Sequence, residues 1–143
     1  MILLDTSGVI SALDASDRQH AASARALLDA ATPRLLSPYV LAELDYLLAT
    51  RVSTRIQRAF LGDVAAGAYR LETFDNDDIA EATDVLDRYP DLSLGIADAS
   101  LVVLARRHDA TDILTLDERH FRAVRAIDHR PFRILPADAS IGR

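Results

Sequence analysis

Ile2-Leu3-Leu4-Asp5-Thr6-Ser7-Gly8 opens the chain with three apolar residues, a carboxylate, two hydroxyls and a glycine. The apolar triplet is too short to form a helix face and reads as a buried strand that ends at Asp5. Either Thr6 or Ser7 can cap a helix that follows at once. Outward from this stretch the pattern repeats: short runs rich in Ile, Leu and Phe alternate with longer segments of helical period, the order expected of strands joined by crossover helices. A helix spans 17–31 and Pro33 stops it; a strand spans 34–36. Ser37-Pro38, a capping residue followed by proline at the first helical position, opens a helix to about Thr50, and 51–66 forms another that ends near Gly67. Residues 69–74 alternate like a strand, Asp75 caps a helix that Pro90 closes, and 95–108 is an apolar, largely buried helix. A strand over 112–116, a short helix over 118–124 and a strand over 132–135 complete the chain. The fold class is α/β: a single domain over 1–143, with a mostly parallel central sheet of about five short strands flanked by helices.

Composition narrows the chemistry. Cysteine is absent, which excludes disulfides, thiolate zinc sites and a cysteine nucleophile and leaves carboxylates and four histidines as metal ligands. The first residues lack the basic and long apolar segments of a signal peptide, and no stretch approaches the ~20 apolar residues of a membrane span, so no membrane association and a cytoplasmic location are expected. The net charge of −6 argues against a protein built for nonspecific adhesion to nucleic acid, yet the charge is polarised. Residues 75–98 hold eight acids against Arg88 alone, whereas 115–143 hold six arginines against four acids. All 16 basic residues are arginine, whose planar forks suit bidentate phosphate contacts, although an arginine-biased genome composition accounts for the count at least as well.

With 22 acids in 143 residues, position must single out those that matter. Asp5 follows a strand, and Asp117 stands in the same relation to Ile113-Leu114-Thr115-Leu116. Ligands of open α/β sheets bind beyond the strand C-termini, so two aspartates on that edge are candidates for function as well as for helix capping. Asp98 shares a helix face with Leu101, Val102 and Ala105 and lies opposite Ser100 and Arg107. A carboxylate on the core side is costly unless it is paired or metal-bound; the alternative, a first-turn acid favoured by the helix dipole, explains its position along the helix but not its face. Glu43 and Asp45 both fall on the margins of the apolar face of their helix, and periodicity does not choose between them; taken alone, each reads as a solvated acid.

The chain resembles the PIN-domain ribonucleases, and within them the VapC-type toxins of bacterial toxin-antitoxin pairs. The resemblance rests on Leu3-Leu4-Asp5-Thr6-Ser7, on 37–43 (Ser-Pro-Tyr-Val-Leu-Ala-Glu), on 91–101 (Asp-Leu-Ser-Leu-Gly-Ile-Ala-Asp-Ala-Ser-Leu) and on 114–121 (Leu-Thr-Leu-Asp-Glu-Arg-His-Phe). It implies a three-layer fold and selects Glu43 over Asp45, which gives Asp5, Glu43, Asp98 and Asp117 as catalytic and metal-holding residues. Thr6, Ser7 and Thr115 are expected nearby to orient water or a phosphate oxygen, with capping the favoured role of the first two. Gly8 stands where relatives more often carry an apolar residue, a departure expected to leave the site untouched. Hard oxygen ligands imply Mg²⁺, with Mn²⁺ able to substitute, activating water for RNA hydrolysis. The resemblance further implies RNA as substrate, a small cognate antitoxin as partner, and a homodimer.

Other features carry less. His20, His108, His120 and His129 show no metal-ligand spacing and are expected in surface or packing roles. Arg51, Arg55 and Arg58 at i, i+4 and i+7 form one helix face, solvated by default, with contact to RNA or an acidic partner as the alternative. The acids at 75–87 read as a solvated helix face. Two other functions compete with the nuclease. An aspartyl-nucleophile phosphatase built on Asp5 would want a second aspartate where Ser7 stands and a lysine that the chain lacks. A noncatalytic interaction module would have no use for four retained carboxylates.

Overall fold

A computed structural model describes residues 1–140. Five strands, β1 (Ile2–Leu4), β2 (Arg34–Leu36), β3 (Arg70–Leu71), β4 (Asp112–Leu114) and β7 (Arg133–Leu135), form an all-parallel sheet in the order β3-β2-β1-β4-β7. Successive side chains of a strand point to opposite faces. Ile2, Leu3 and Leu4 are all buried, as are Ile113 and Leu114, so both faces of the sheet centre are covered by helices. The edge strand β3 is exposed at both residues.

The helices are α1 (Thr6–Leu13), α2 (His20–Asp29), α3 (Pro38–Leu47), α4 (Thr54–Ala65), α5 (Asn76–Arg88), α6 (Ile96–His108) and α7 (Glu118–Ala123). Ser37 caps α3 by accepting from the Tyr39 amide at 3.2 Å, with Pro38 at the first helical position as expected. Asp75 and Asp78 exchange the two bonds of a capping box at the start of α5. The fold class, the parallel sheet and the alternation of strand and helix all agree with the sequence reading.

Several local expectations need correction. The break between α3 and α4 falls at Ser53, after a π-helical turn over Leu48–Val52; Ser53 is extended and its hydroxyl accepts from the Ile56 amide at 3.1 Å. Arg51 therefore lies on the π turn, off the helix that carries Arg55 and Arg58, although all three are exposed. The strand expected over 69–74 is confined to Arg70–Leu71. As expected of a largely buried helix, α6 is enclosed around almost its whole circumference from Ala97 to Ala105, Ser100 on the face opposite Asp98 included. The acids of α5 are partly engaged, Asp78 with Arg107 at 2.8 Å and Glu81 with Arg106 at 3.7 Å. An antiparallel hairpin of β5 (Arg125–Ile127) and β6 (Arg130–Pro131) was not expected at all. Its two-residue turn, Asp128-His129, has positive φ at both positions and no glycine to announce it.

Gly8 is not a neutral departure. A Cβ there would sit 2.5 Å from the Leu114 carbonyl oxygen and 2.6 Å from its carbon, so α1 approaches β4 more closely than any side chain permits. The obstacle is backbone of a central strand and does not yield as a side-chain tip would. Gly8→Ala is expected to destabilise the fold by about 1–3 kcal/mol, the usual cost of overpacking. Thermal denaturation checks this; a variant that melts at the wild-type temperature would show the α1–β4 spacing to be adjustable.

Candidate metal-dependent nuclease site

The pairing register aligns the residues just past the strands in one row along the carboxyl edge. Leu3 pairs with Leu35 and with Ile113, and Leu36 pairs with Leu71. Asp5 thus has Ser37 on one side and Thr115 on the other. Chain order reverses on either side of β1, and a crevice opens at such a switch point. Asp5 stands there because β1 is central; its amide donates to the Leu114 carbonyl at 3.0 Å, and only 6% of its surface is exposed.

Asp5 is the N-cap residue of α1, yet its side chain makes no capping bond. Its Oδ2 instead accepts from the Thr115 hydroxyl at 2.6 Å and the Ser7 hydroxyl at 3.1 Å. Those hydroxyls are themselves oriented. Ser7 Oγ accepts the Leu116 amide at 2.9 Å and Thr115 Oγ1 accepts the Asp117 amide at 2.9 Å, which leaves the single hydrogen of each for the carboxylate. Thr6 donates to Glu43 Oε1 at 2.6 Å. Neither Thr6 nor Ser7 caps α1, contrary to expectation; both hold acids of the site.

The remaining carboxylates converge from other elements. Asp98 occupies the third position of α6, where its Oδ2 accepts the Gly95 amide at 3.1 Å. Asp117 caps α7 through Oδ1, which accepts the His120 amide at 3.1 Å. Asp117 thus fulfils the helix-capping alternative and Asp98 stands in the first turn of its helix, and both still point charge at the site. Glu43 and Asp45, which periodicity left unresolved, diverge: Asp45 is held by Gln57 at 2.7 Å, away from the bond between Glu43 and Thr6. A buried hydroxyl pair ties α3 to α6. Ser100 Oγ donates to the Ala97 carbonyl at 2.6 Å and so accepts from Ser37 Oγ at 2.7 Å. That bridge, which sets the start of the Glu43 helix against the start of the Asp98 helix, carried no signal in the sequence.

The acids feel one another. Burial pushes the Asp5 carboxyl up to about 6, the neighbouring Asp98 adds to the rise, and the bonds from Thr115 and Ser7 moderate it. Burial also raises Asp98; the Gly95 amide and His120 oppose the shift, while Asp117 and Glu43 reinforce it. Asp98 is thus the hub that couples to the other three acids.

His120 belongs here, against the packing role expected of it. Its Nδ1 lies 2.7 Å from Asp117 Oδ2 and 4.0 Å from Asp98 Oδ2. It makes no directed hydrogen bond there, so the contact is one of proximity. Asp98, Asp117 and His120 can each offer a ligand atom within 4.8 Å of the others. An imidazole beside the carboxylates alters the all-oxygen ligand set read from the sequence, because imidazole also suits softer divalent ions. The available signal was its position three residues after Asp117, one turn along the helix that Asp117 caps.

A family model described as the PIN domain matches residues 2–127. The chain belongs to the PIN-domain family. It is 42% identical over 135 residues to Ribonuclease VapC26 of Mycobacterium tuberculosis, covering 94% of this chain and all of the relative. Among solved structures it resembles M. tuberculosis VapC20, described as a Sarcin-Ricin loop cleaving toxin, with a TM-score of 0.75 and 23% identity over 82% of this chain and 90% of that one. FitAcB of Neisseria gonorrhoeae matches with a TM-score of 0.57 and 21% identity, covering 82% of this chain and 88% of that one. The two structures bear on the fold. The sequence relative makes this PIN domain a homologue of a VapC ribonuclease, as the motifs implied. Among the described residues no helix is long and apolar enough to cross a membrane.

Proposed function

We propose that this PIN domain is a divalent-metal-dependent endoribonuclease acting as the toxin of a toxin-antitoxin pair. One observation carries the reading: past the carboxyl edge of the sheet Asp98 and Asp117 offer ligand atoms within 4.8 Å of each other and of His120, while Thr115 and Ser7 hold Asp5 and Thr6 holds Glu43. Four acids gathered without a cation repel one another, and a divalent ion relieves that repulsion. Asp98 and Asp117 would hold the ion with His120 in reach, and Asp5 and Glu43 would hold water or a second ion. A bound Mg²⁺ or Mn²⁺ would supply a water of lowered pKa and positive charge toward the scissile phosphate. The chain's own part is positional. Thr115 and Ser7 fix Asp5, Thr6 fixes Glu43, and the Ser37–Ser100 bridge holds α3 and α6 in register.

The substrate is RNA, the partner a small antitoxin and the setting the cytoplasm, all on the likeness to the VapC ribonuclease; a homodimer is proposed on the same ground. Incubation of purified protein with single-stranded RNA in Mg²⁺, in Mn²⁺ and in EDTA tests the reaction. Internal cleavage in either metal and none in EDTA is expected. Cleavage that persists in EDTA, or none with any divalent ion, would overturn the assignment.

A further inference from the structure

Away from the acids, a cavity of about 400 Å³ opens between the α5–α6 pair and the β5–β6 hairpin, lined by Arg88, Tyr89, Arg106, Arg125, Asp128 and His129. We propose that it holds a backbone phosphate of the RNA strand a few nucleotides from the cleaved bond, a proposal that rests on the nuclease reading.

The charge in this cavity is unspent. Arg122 is taken up by Glu118 and Asp138, Arg130 by Asp109 and Arg133 by Asp112. Arg88 and Arg125, by contrast, have no ion pair among the described residues, the Arg125 guanidinium donating only to the Arg122 carbonyl at 3.4 Å, and Arg106 has only the 3.7 Å contact with Glu81. Asp128 is the single acid on the cavity wall. Guanidinium forks match pairs of phosphate oxygens. Tyr89, whose hydroxyl accepts the Arg125 amide at 3.3 Å, sets an aromatic ring among them, the combination that single-stranded nucleic acid uses.

Placement favours RNA over an acidic protein. Arg106 lies eight residues beyond Asp98 on the same helix, ~12 Å along its axis, so one strand can reach both. Arg125 follows His120 by five residues through α7. The hairpin turn also holds Asp128 and His129 at φ 44° and 66°, a two-residue conformation that glycine adopts more readily, so side chains are kept at the cavity mouth against backbone preference.

The test is binding of a fluorescent single-stranded RNA in EDTA across a salt titration, with cleavage kinetics in Mn²⁺. The double variant Arg88→Gln/Arg125→Gln is expected to bind several-fold more weakly and to flatten the log-log salt slope by about 0.7 for each phosphate that the protein no longer neutralises. Its KM rises while kcat at saturating RNA holds, since the cavity is remote from the acids. His129→Gly, which relaxes the turn, weakens binding without lowering Tm. The control Arg51→Gln/Arg55→Gln removes equal charge from an open surface and changes binding less. An unchanged slope and KM in the first variant, an equal effect in the control, or loss of antitoxin binding with RNA binding intact would each overturn the cavity's assignment. Failure of the nuclease reading looks different: wild-type protein binds RNA and cleaves none, and the cavity is still judged by the binding arm.

Discussion

Asp5→Asn and Asp98→Asn are each expected to lower metal-dependent RNA cleavage by roughly a thousandfold, the equivalent of the several kcal/mol a metal ion contributes to such a reaction. The fold should survive both changes. Asn at 98 keeps an oxygen for the Gly95 amide, and Asn at 5 can turn its oxygen toward Thr115 and Ser7. Each variant loses the charge and nothing of the volume. Cleavage assays on protein shown to be folded by circular dichroism decide the matter. Activity within tenfold of wild type in both variants would remove these residues from the mechanism.

The second large effect is on stability without metal. The Asp5 carboxyl sits near 6 in the folded protein and near 4 when unfolded. Because the folded value is the higher one, the contribution of Asp5 is full below about pH 4 and is lost as pH rises through about 6. In EDTA the protein should therefore gain stability on acidification across that window. The amount is about 3 kcal/mol, on the order of 10 °C in Tm. Asp5→Asn should flatten this dependence and melt higher than wild type at pH 7.5. Thr115→Val, which removes the shortest bond to the ionised form, should shift the window upward. Excess Mn²⁺ at neutral pH should raise Tm by mass action, about 2.7 kcal/mol at a hundredfold excess over Kd, and by less near pH 5, where protons compete. Thermal melts of the three proteins from pH 4 to 8, with EDTA and with Mn²⁺, give all these signs. A wild type that loses stability on acidification in parallel with Asp5→Asn would show that Asp5 is not buried as a strained anion.

The sheet and most helices were legible because they rest on local chemistry. Uninterrupted triplets such as Ile2-Leu3-Leu4 and caps such as Ser37-Pro38 and Asp75 declare themselves within a few residues. Asp5 and Asp117 could be picked out because the end of a parallel strand is a place with a physical meaning. Asp98 was chosen on its helix face, and that argument was incomplete: α6 is buried nearly all round, so Ser100 on the other side is as enclosed as Leu101. What escaped depends on contacts between residues distant in sequence. The Ser37–Ser100 bridge joins positions 63 apart, and the Thr115 bond to Asp5 spans 110. The hairpin β5–β6 was missed because its turn uses Asp-His where Asn-Gly would have announced it. The break at Ser53 is marked only by a hydroxyl between the β-branched Val52 and Thr54, with no glycine or proline beside it.

Two carboxylates of the site are also helix caps, and the double duty makes the backbone a witness to the site's charge. The amide of Gly95 donates to Asp98 and that of His120 donates to Asp117. Any event that alters either carboxylate, whether protonation, capture of an ion or approach of a phosphate, is registered one bond away by an N–H group that takes no part in the reaction. Two amide resonances thus report occupancy of the site without labelling or altering a single side chain in it.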